Sequence, residues 1–190
     1  MAECAVRRQN DTPGALAASC ADLPKAAELA FRCSLCGYCG AVCQTGCQPT
    51  DMFDAARVAA AAGGLRPEAA HKRLLAYERI GMSPLFNWGA LPEGSKRVFF
   101  PGCAMPGLRP DTTLRSFRLL READPTMGVV LDCCGEPSRM VGLRTQFQAR
   151  MAKLAAYLSG AGVEEIVVAC PACLHLFDEA FVFKLSDQGL

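Results

Sequence analysis

The chain has 190 residues, a formal net charge of +1, and twelve cysteines beside only two histidines. This length allows one ordinary domain or two small ones, and the near-neutral charge gives no electrostatic footprint for nucleic acid or for an anionic membrane. No apolar run is long enough to span a bilayer, and the N-terminal residues lack the ordered sections of a secretory signal. We therefore expect a cytoplasmic protein without membrane insertion, in which clustered cysteines indicate metal or redox chemistry rather than disulfides.

The N-terminal part is predicted to be helical, because it is rich in Ala, Leu, Arg and Glu. The stretch "PTDMFDAARVAAAAGG" predicts a helix with Thr50 or Asp51 as its N-cap and an end at Gly63 and Gly64. The stretch "RPEAAHKRLLAYERIG" repeats this scheme and ends at Gly81.

The turn-rich residues 83–96 separate these helices from the rest of the chain. We assign residues 1–82 to a small all-helical module, residues 83–96 to a linker, and residues 97–190 to a second domain. Phe86 and Trp88 are expected to anchor the linker by burying apolar area.

The helical part contains a tight cysteine run, "CSLCGYCGAVC", with the spacing C-x2-C-x2-C-x3-C. Its members are Cys33, Cys36, Cys39 and Cys43. Soft thiolates select iron–sulfur clusters or zinc, and a single tight run favours a cubane [4Fe–4S] cluster over zinc, which usually draws on two separated pairs. The residue after Cys43 is not the proline of bacterial ferredoxin runs, so Cys47 and Cys20 remain alternatives for the fourth ligand.

After the linker, short apolar runs alternate with helical patterns. Residues 97–100, 127–132 and 164–169 predict strands, and residues 111–123 and 144–160 predict helices between them. A further helix is expected to begin near Pro171. Strands that alternate with helices indicate an α/β domain with a short parallel sheet flanked by helices.

Five more cysteines follow the three predicted strands. They are Cys103 after the first, Cys133 and Cys134 after the second, and Cys170 and Cys173 after the third. Open parallel sheets bind their ligands at the carboxyl ends of strands, so these thiols should converge on one site. Structural zinc takes four ligands and leaves one thiol over, and a thioredoxin-like "CPAC" dithiol uses only two; a polynuclear iron–sulfur centre can use all five.

The order "FFPGC … LDCCG … ACPAC" resembles the cysteine-rich CCG domain of the heterodisulfide reductase B subunit. It is also similar to the iron–sulfur subunits of glycolate oxidase and related dehydrogenase systems. The preceding cysteine run resembles the helical ferredoxin-like module that members of this family often carry. Those subunits usually contain two CCG halves, whereas this sequence contains one.

The resemblance implies that the five cysteines of the second group hold a noncubane [4Fe–4S] cluster, with Cys133 and Cys134 as candidate catalytic residues in their role as ligands. It implies an iron–sulfur oxidoreductase subunit in which electrons pass from the cubane to this second centre, which reduces a disulfide-type substrate or relays electrons onward. The alternative is a non-catalytic electron-transfer or assembly subunit with structural zinc in the CCG domain. The expected partner is a flavoprotein, a separately encoded second CCG half, or a second copy of the chain.

Overall fold

The computed structural model describes residues 17, 22–65 and 69–177. They form two compact units, one made of the residues up to Arg73 together with Pro137–Arg144, and one made of Leu74–Glu136 together with the residues from Thr145 onward. The predicted architecture, an α/β domain with a helical N-terminal region, is confirmed. The domain boundaries proposed from the sequence stay a prediction. None of the described helices is both long and apolar enough to cross a membrane.

Between residues 22 and 65, the first unit contains three described helices. They are α1 (Leu23–Arg32), α2 (Tyr38–Ala41) and α3 (Pro49–Ala62). Ala30 of α1 and Phe53 of α3 form its buried apolar core, and this burial, not helix propensity alone, stabilises such short helices.

The predicted N-cap of α3 is wrong, because the helix begins earlier, with Gln48 as N-cap and Pro49 in the first turn. Proline suits this position, since it has no N–H to leave unsatisfied and its φ angle already fits the helix. The predicted end is confirmed, with Gly63 as C-cap and Gly64 in the left-handed conformation.

The second unit contains a four-stranded sheet. Its strands are β1 (Trp88–Ala90), β2 (Arg97–Phe100), β3 (Gly128–Leu131) and β4 (Glu165–Val168), in the spatial order β1-β3-β2-β4. Strands β3, β2 and β4 are parallel, with Phe99 beside both Val129 and Val167. The three predicted strands are therefore confirmed.

Helices cover both faces of this sheet. The remaining described helices are α4 (Ala69–Gly81), α5 (Ala104–Leu108), α6 (Pro110–Ala123), α7 (Glu136–Met140), α8 (Arg144–Gly160) and α9, which is described over residues 171–177; α7 after Glu136 and the start of α4 belong to the first unit. Val98 and Phe100 face the core that α8 and α9 close, whereas Phe99 packs against Phe117 of α6. This alternation follows from the two-residue period of a strand.

Residues 83–96 contain a strand that the sequence analysis did not predict. Residues 88–90 form β1, which pairs antiparallel with β3 at the edge of the sheet. Phe86 and Trp88 are 59% and 57% exposed, so the expectation that they bury apolar area is wrong. A three-residue strand with a central glycine has no recognisable periodicity in the sequence. The strand exists because residues 88–90 pair with β3.

Candidate metal centres

The sheet brings the second group of cysteines to one edge. Cys103 follows β2, Cys133 follows β3, and Cys170 follows β4. Because these strands are parallel, their carboxyl ends lie on the same side of the sheet. The convergence expected from the sequence is therefore present in the fold.

Four thiols of this group form a continuous row. The Cys134 and Cys173 sulfurs are 3.2 Å apart, and Cys133 interacts through hydrogen bonding with Cys103 and with Cys134. Cys133, Cys134 and Cys173 are buried, and Cys103 is partly exposed. The row runs from the end of β2, through residues 133–135 (called the CCG turn below), to the "CPAC" segment at residues 170–173.

Gly102 brings the loop after β2 onto the "CPAC" segment. Its φ is +75°, and a Cβ at this position would lie 3.0 Å from the Cys173 sulfur and 3.4 Å from the Cys170 Cβ. Only glycine takes this conformation readily and leaves room for sulfur. Cys170 is thereby placed beside the loop that carries Cys103, at the same edge as the row.

Crowding of the thiols disfavours their ionised forms. The hydrogen bond with Cys133 and burial raise the pKa of Cys103. A hydrogen bond from Cys103 lowers the pKa of Cys133, but the hydrogen bond to Cys134 and burial outweigh it and raise that pKa to about 12. Thiols held neutral in this way become thiolates when a bound metal supplies the compensating positive charge.

Backbone N–H groups of the CCG turn point at two of these sulfurs. The N–H of Gly135 hydrogen-bonds to Cys133 and the N–H of Glu136 to Cys134, and each bond lowers the pKa of its thiol. Hydrogen bonds to ligand sulfurs are one of the ways in which proteins tune iron–sulfur clusters.

A buried ion pair supports the CCG turn. Asp132 is 6% exposed, accepts the Cys133 N–H at 2.6 Å, and pairs with Arg150 of α8. Burial raises the pKa of Asp132, and the Arg150 charge counteracts this shift. The position of Asp132 directly before the cysteine pair was a sequence signal that we did not use; nothing in the helical pattern around Arg150 marks that residue.

Tyr77 of α4 is a second supporting residue that the sequence analysis missed. Its hydroxyl donates a hydrogen bond to the Cys103 carbonyl oxygen at 3.1 Å. Burial and the neighbouring Cys103 and Cys133 thiols raise the pKa of Tyr77. The phenol therefore stays protonated and keeps its role as a donor.

The first cysteine run lies in the loop after α1 and in α2. Cys33 is the C-cap of α1, and its sulfur accepts the Leu35 N–H at 3.4 Å, with Leu35 at a φ of +52°. Burial raises the pKa of Cys33, and the proximity of the Cys36 and Cys39 thiols adds to the shift. The Cys36 and Cys39 thiols thus lie close enough to Cys33 to act on it electrostatically, and their binding of one cluster stays a prediction.

Cys43 and Cys47, two candidates for the fourth ligand of the first cluster, both lie beside Thr45. The Thr45 hydroxyl lies 3.1 Å from the Cys43 sulfur and 3.4 Å from the Cys47 sulfur, so both thiols lie in one exposed turn. Cys20, the other alternative, lies outside the described residues. The choice of Cys43 as fourth ligand stays a prediction.

Within the described ranges, no three Cys, His, Asp or Glu side chains are preorganised around a single ion. In a zinc tetrahedron with bonds of about 2.3 Å, every pair of sulfurs lies about 3.8 Å apart. Soft thiolate donors of this kind suit iron–sulfur clusters or zinc.

Comparison with known proteins identifies one segment of the chain. Residues 97–178 match the family model of the CCG cysteine-rich domain. This segment runs from β2 into α9 and contains all five cysteines of the second group. No curated protein and no solved structure matches the chain. The cysteine-rich character of the matched domain is consistent with iron–sulfur or metal binding.

Proposed function

We propose that this chain is an iron–sulfur oxidoreductase subunit that holds two clusters and delivers electrons to a disulfide-type substrate or to a redox partner. Cys33, Cys36, Cys39 and Cys43 would hold a cubane [4Fe–4S] cluster. The second cluster, of the noncubane [4Fe–4S] type, would be held by Cys103, Cys133, Cys134, Cys170 and Cys173. Bound clusters of this kind accept and donate single electrons.

The observation that carries the proposal is the row of thiols at the carboxyl edge of the sheet. Cys133 and Cys134 are adjacent in sequence, yet one contacts Cys103 and the other contacts Cys173. Two adjacent cysteines whose thiols lie beside different neighbours can bind different metal atoms of one centre, whereas a single ion needs all its ligands around one point. The match of this segment to the CCG domain supports the same reading.

The surrounding residues can hold the ligands in place without taking part in redox chemistry. Asp132 fixes the Cys133 backbone, and Arg150 keeps the Asp132 carboxylate in position. The N–H groups of Gly135 and Glu136 stabilise negative charge on the ligand sulfurs. Such supporting contacts orient metal ligands and tune the bound metal.

The first test is a metal and sulfide analysis of protein purified without oxygen. We expect about eight iron and eight acid-labile sulfide per chain, the content of two [4Fe–4S] clusters. Cys134→Ala should remove the electron paramagnetic resonance signal of the second centre and leave that of the first, and Cys36→Ala should do the reverse. One zinc atom per chain together with about four iron would instead identify a structural zinc site in the CCG domain.

The fourth ligand of the first cluster is tested by a matched pair of variants. Cys43→Ala should lose the iron of the first cluster, and Cys47→Ala should retain it, since Cys43 completes the run. Thr45 contacts both sulfurs, so the two variants disturb the same turn. The reverse result would assign the ligand to Cys47.

Delivery of electrons is tested with the chemically reduced protein and a small-molecule disulfide. We expect thiol release and reoxidation of the protein at a rate that Cys134→Ala abolishes. Reoxidation by a flavoprotein, without thiol release from the disulfide, would identify an electron carrier. The partner we expect, a flavoprotein, a second CCG half or a second copy, can be sought by native mass spectrometry of the cluster-loaded protein.

A further inference from the structure

The first unit contains a buried positive charge next to the first cysteine run. Arg57 of α3 is only 1% exposed. A buried guanidinium is costly unless hydrogen bonds replace its hydration. The hydrogen-bond acceptors of the Arg57 guanidinium therefore indicate which parts of the chain this side chain holds together.

Arg57 donates to backbone carbonyls from two distant parts of the sequence. Its Nε and one terminal nitrogen donate to the Ala30 carbonyl oxygen at 3.1 and 2.8 Å. The same terminal nitrogen donates to the Cys33 carbonyl oxygen, and the other donates to that of Met140. The guanidinium also lies 5.4 Å from the centre of the Phe31 ring. One side chain thus joins the end of α1, with the first cysteine of the run, to the end of α7.

The stretch around Met140 is held by α3 at further points. Arg144 forms an ion pair with Asp54 of α3, and the backbone of Gly142 lies so close to the Arg57 carbonyl that no Cβ would fit there. Residues 137–144 belong to the same compact unit as α3, and in the sequence they directly follow the CCG turn.

We infer that Arg57 is a positioning residue that fixes the Cys33 backbone together with residues 137–144 and, through its buried charge, raises the reduction potential of a cluster held by the first cysteine run. The statement about the potential rests on the proposed cluster at Cys33, Cys36, Cys39 and Cys43. Reduction adds negative charge to a cluster, and a cation stabilises that charge more strongly in a buried site than in water.

The chain offers a matched control in Arg32. This residue is adjacent to Cys33 in sequence, but its side chain is 52% exposed and pairs with Glu28. Its charge is solvated and screened. Arg32→Met and Arg57→Met therefore each remove one positive charge near Cys33. Arg32→Met removes it from the solvent-exposed surface, and Arg57→Met removes it from the interior.

The first measurement is a redox titration of the first cluster, followed by electron paramagnetic resonance in cluster-loaded protein. We expect Arg57→Met to weaken electron binding at least tenfold, a fall of about 59 mV for a one-electron couple, and Arg32→Met to cause a markedly smaller fall. Arg57→Lys retains the charge, so its potential should lie nearer to that of the wild type. Equal potentials in Arg57→Met and Arg32→Met would overturn the inference.

The second measurement needs no cluster. In metal-free protein, hydrogen exchange of residues 137–144 should be faster in Arg57→Lys than in Arg32→Lys, because lysine lacks the forked guanidinium that joins the Cys33 and Met140 carbonyls. Equal exchange in the two lysine variants would refute the positioning role. Because this comparison does not use Arg57→Met, it can be made even if that variant does not fold. A wild-type protein without the first cluster, but with this difference in exchange, would refute the proposed function and leave the positioning role standing.

Discussion

The buried pair of Asp132 and Arg150 gives the sharpest prediction for stability. Arg150→Met removes the cation and leaves the carboxylate of Asp132, which is 6% exposed, without its charged partner. Breaking a buried pair by removing one member costs about 3–5 kcal/mol, because an uncompensated charge stays in the interior. The control is Arg97→Met, which breaks the surface pair with Glu165, where the side chains are 43% and 55% exposed, and a longer contact of 3.5 Å with Asp124. Water solvates the Arg97 and Glu165 side chains, so the loss should be smaller.

Urea unfolding of the reduced protein without oxygen measures both losses. The double variant Asp132→Asn with Arg150→Met should lose less than the sum of the two single variants, because it leaves no unpaired charge. The Asp132 carboxylate also holds the Cys133 N–H, so Arg150→Met should lower the iron content of the second centre as well. A loss in Arg150→Met no larger than in Arg97→Met, or strict additivity in the double variant, would refute the reasoning.

Two further predictions concern a glycine and a surface carboxylate. Gly102→Ala and Gly94→Ala both place a Cβ at a φ near +75°, which costs about 1–2 kcal/mol. Only the Cβ at Gly102 would meet the Cys173 sulfur, at 3.0 Å, whereas nothing lies within 4 Å at Gly94. Gly102→Ala alone should therefore lower the iron content of the second centre; equal iron in both variants would contradict the close approach. Hydrogen bonding to Arg97 holds the pKa of Glu165 below 4.5, so this pair stabilises the fold at neutral pH and loses its effect as the pH falls through the lowered pKa. The melting temperatures of wild type and Arg97→Met should accordingly converge as the pH falls through the lowered pKa values of Glu165 and Asp124, both of which pair with Arg97, and a constant difference down to about pH 2 would contradict this assignment.

The helices and the parallel strands could be predicted from the sequence because their signals are local. The apolar runs at residues 97–100, 127–132 and 164–169 are separated by patterns of helical period, and this alternation indicates a parallel sheet. A cysteine after each run then had to lie at one edge, since parallel strands end on the same side. The edge strand β1 has no such signal, because it is defined by its pairing with β3, which lies about forty residues later in the sequence.

The sequence by itself determined the candidate ligands: a tight run of four cysteines in the helical part and five cysteines at three strand ends. Only the tertiary structure decided how they are arranged and supported. The order of the row from Cys103 to Cys173, the ion pair of Asp132 with Arg150, and the hydrogen bonds of Arg57 to Cys33 and Met140 all join residues distant in the chain. Local periodicity carries no information about such contacts, because they form only when separate elements pack together.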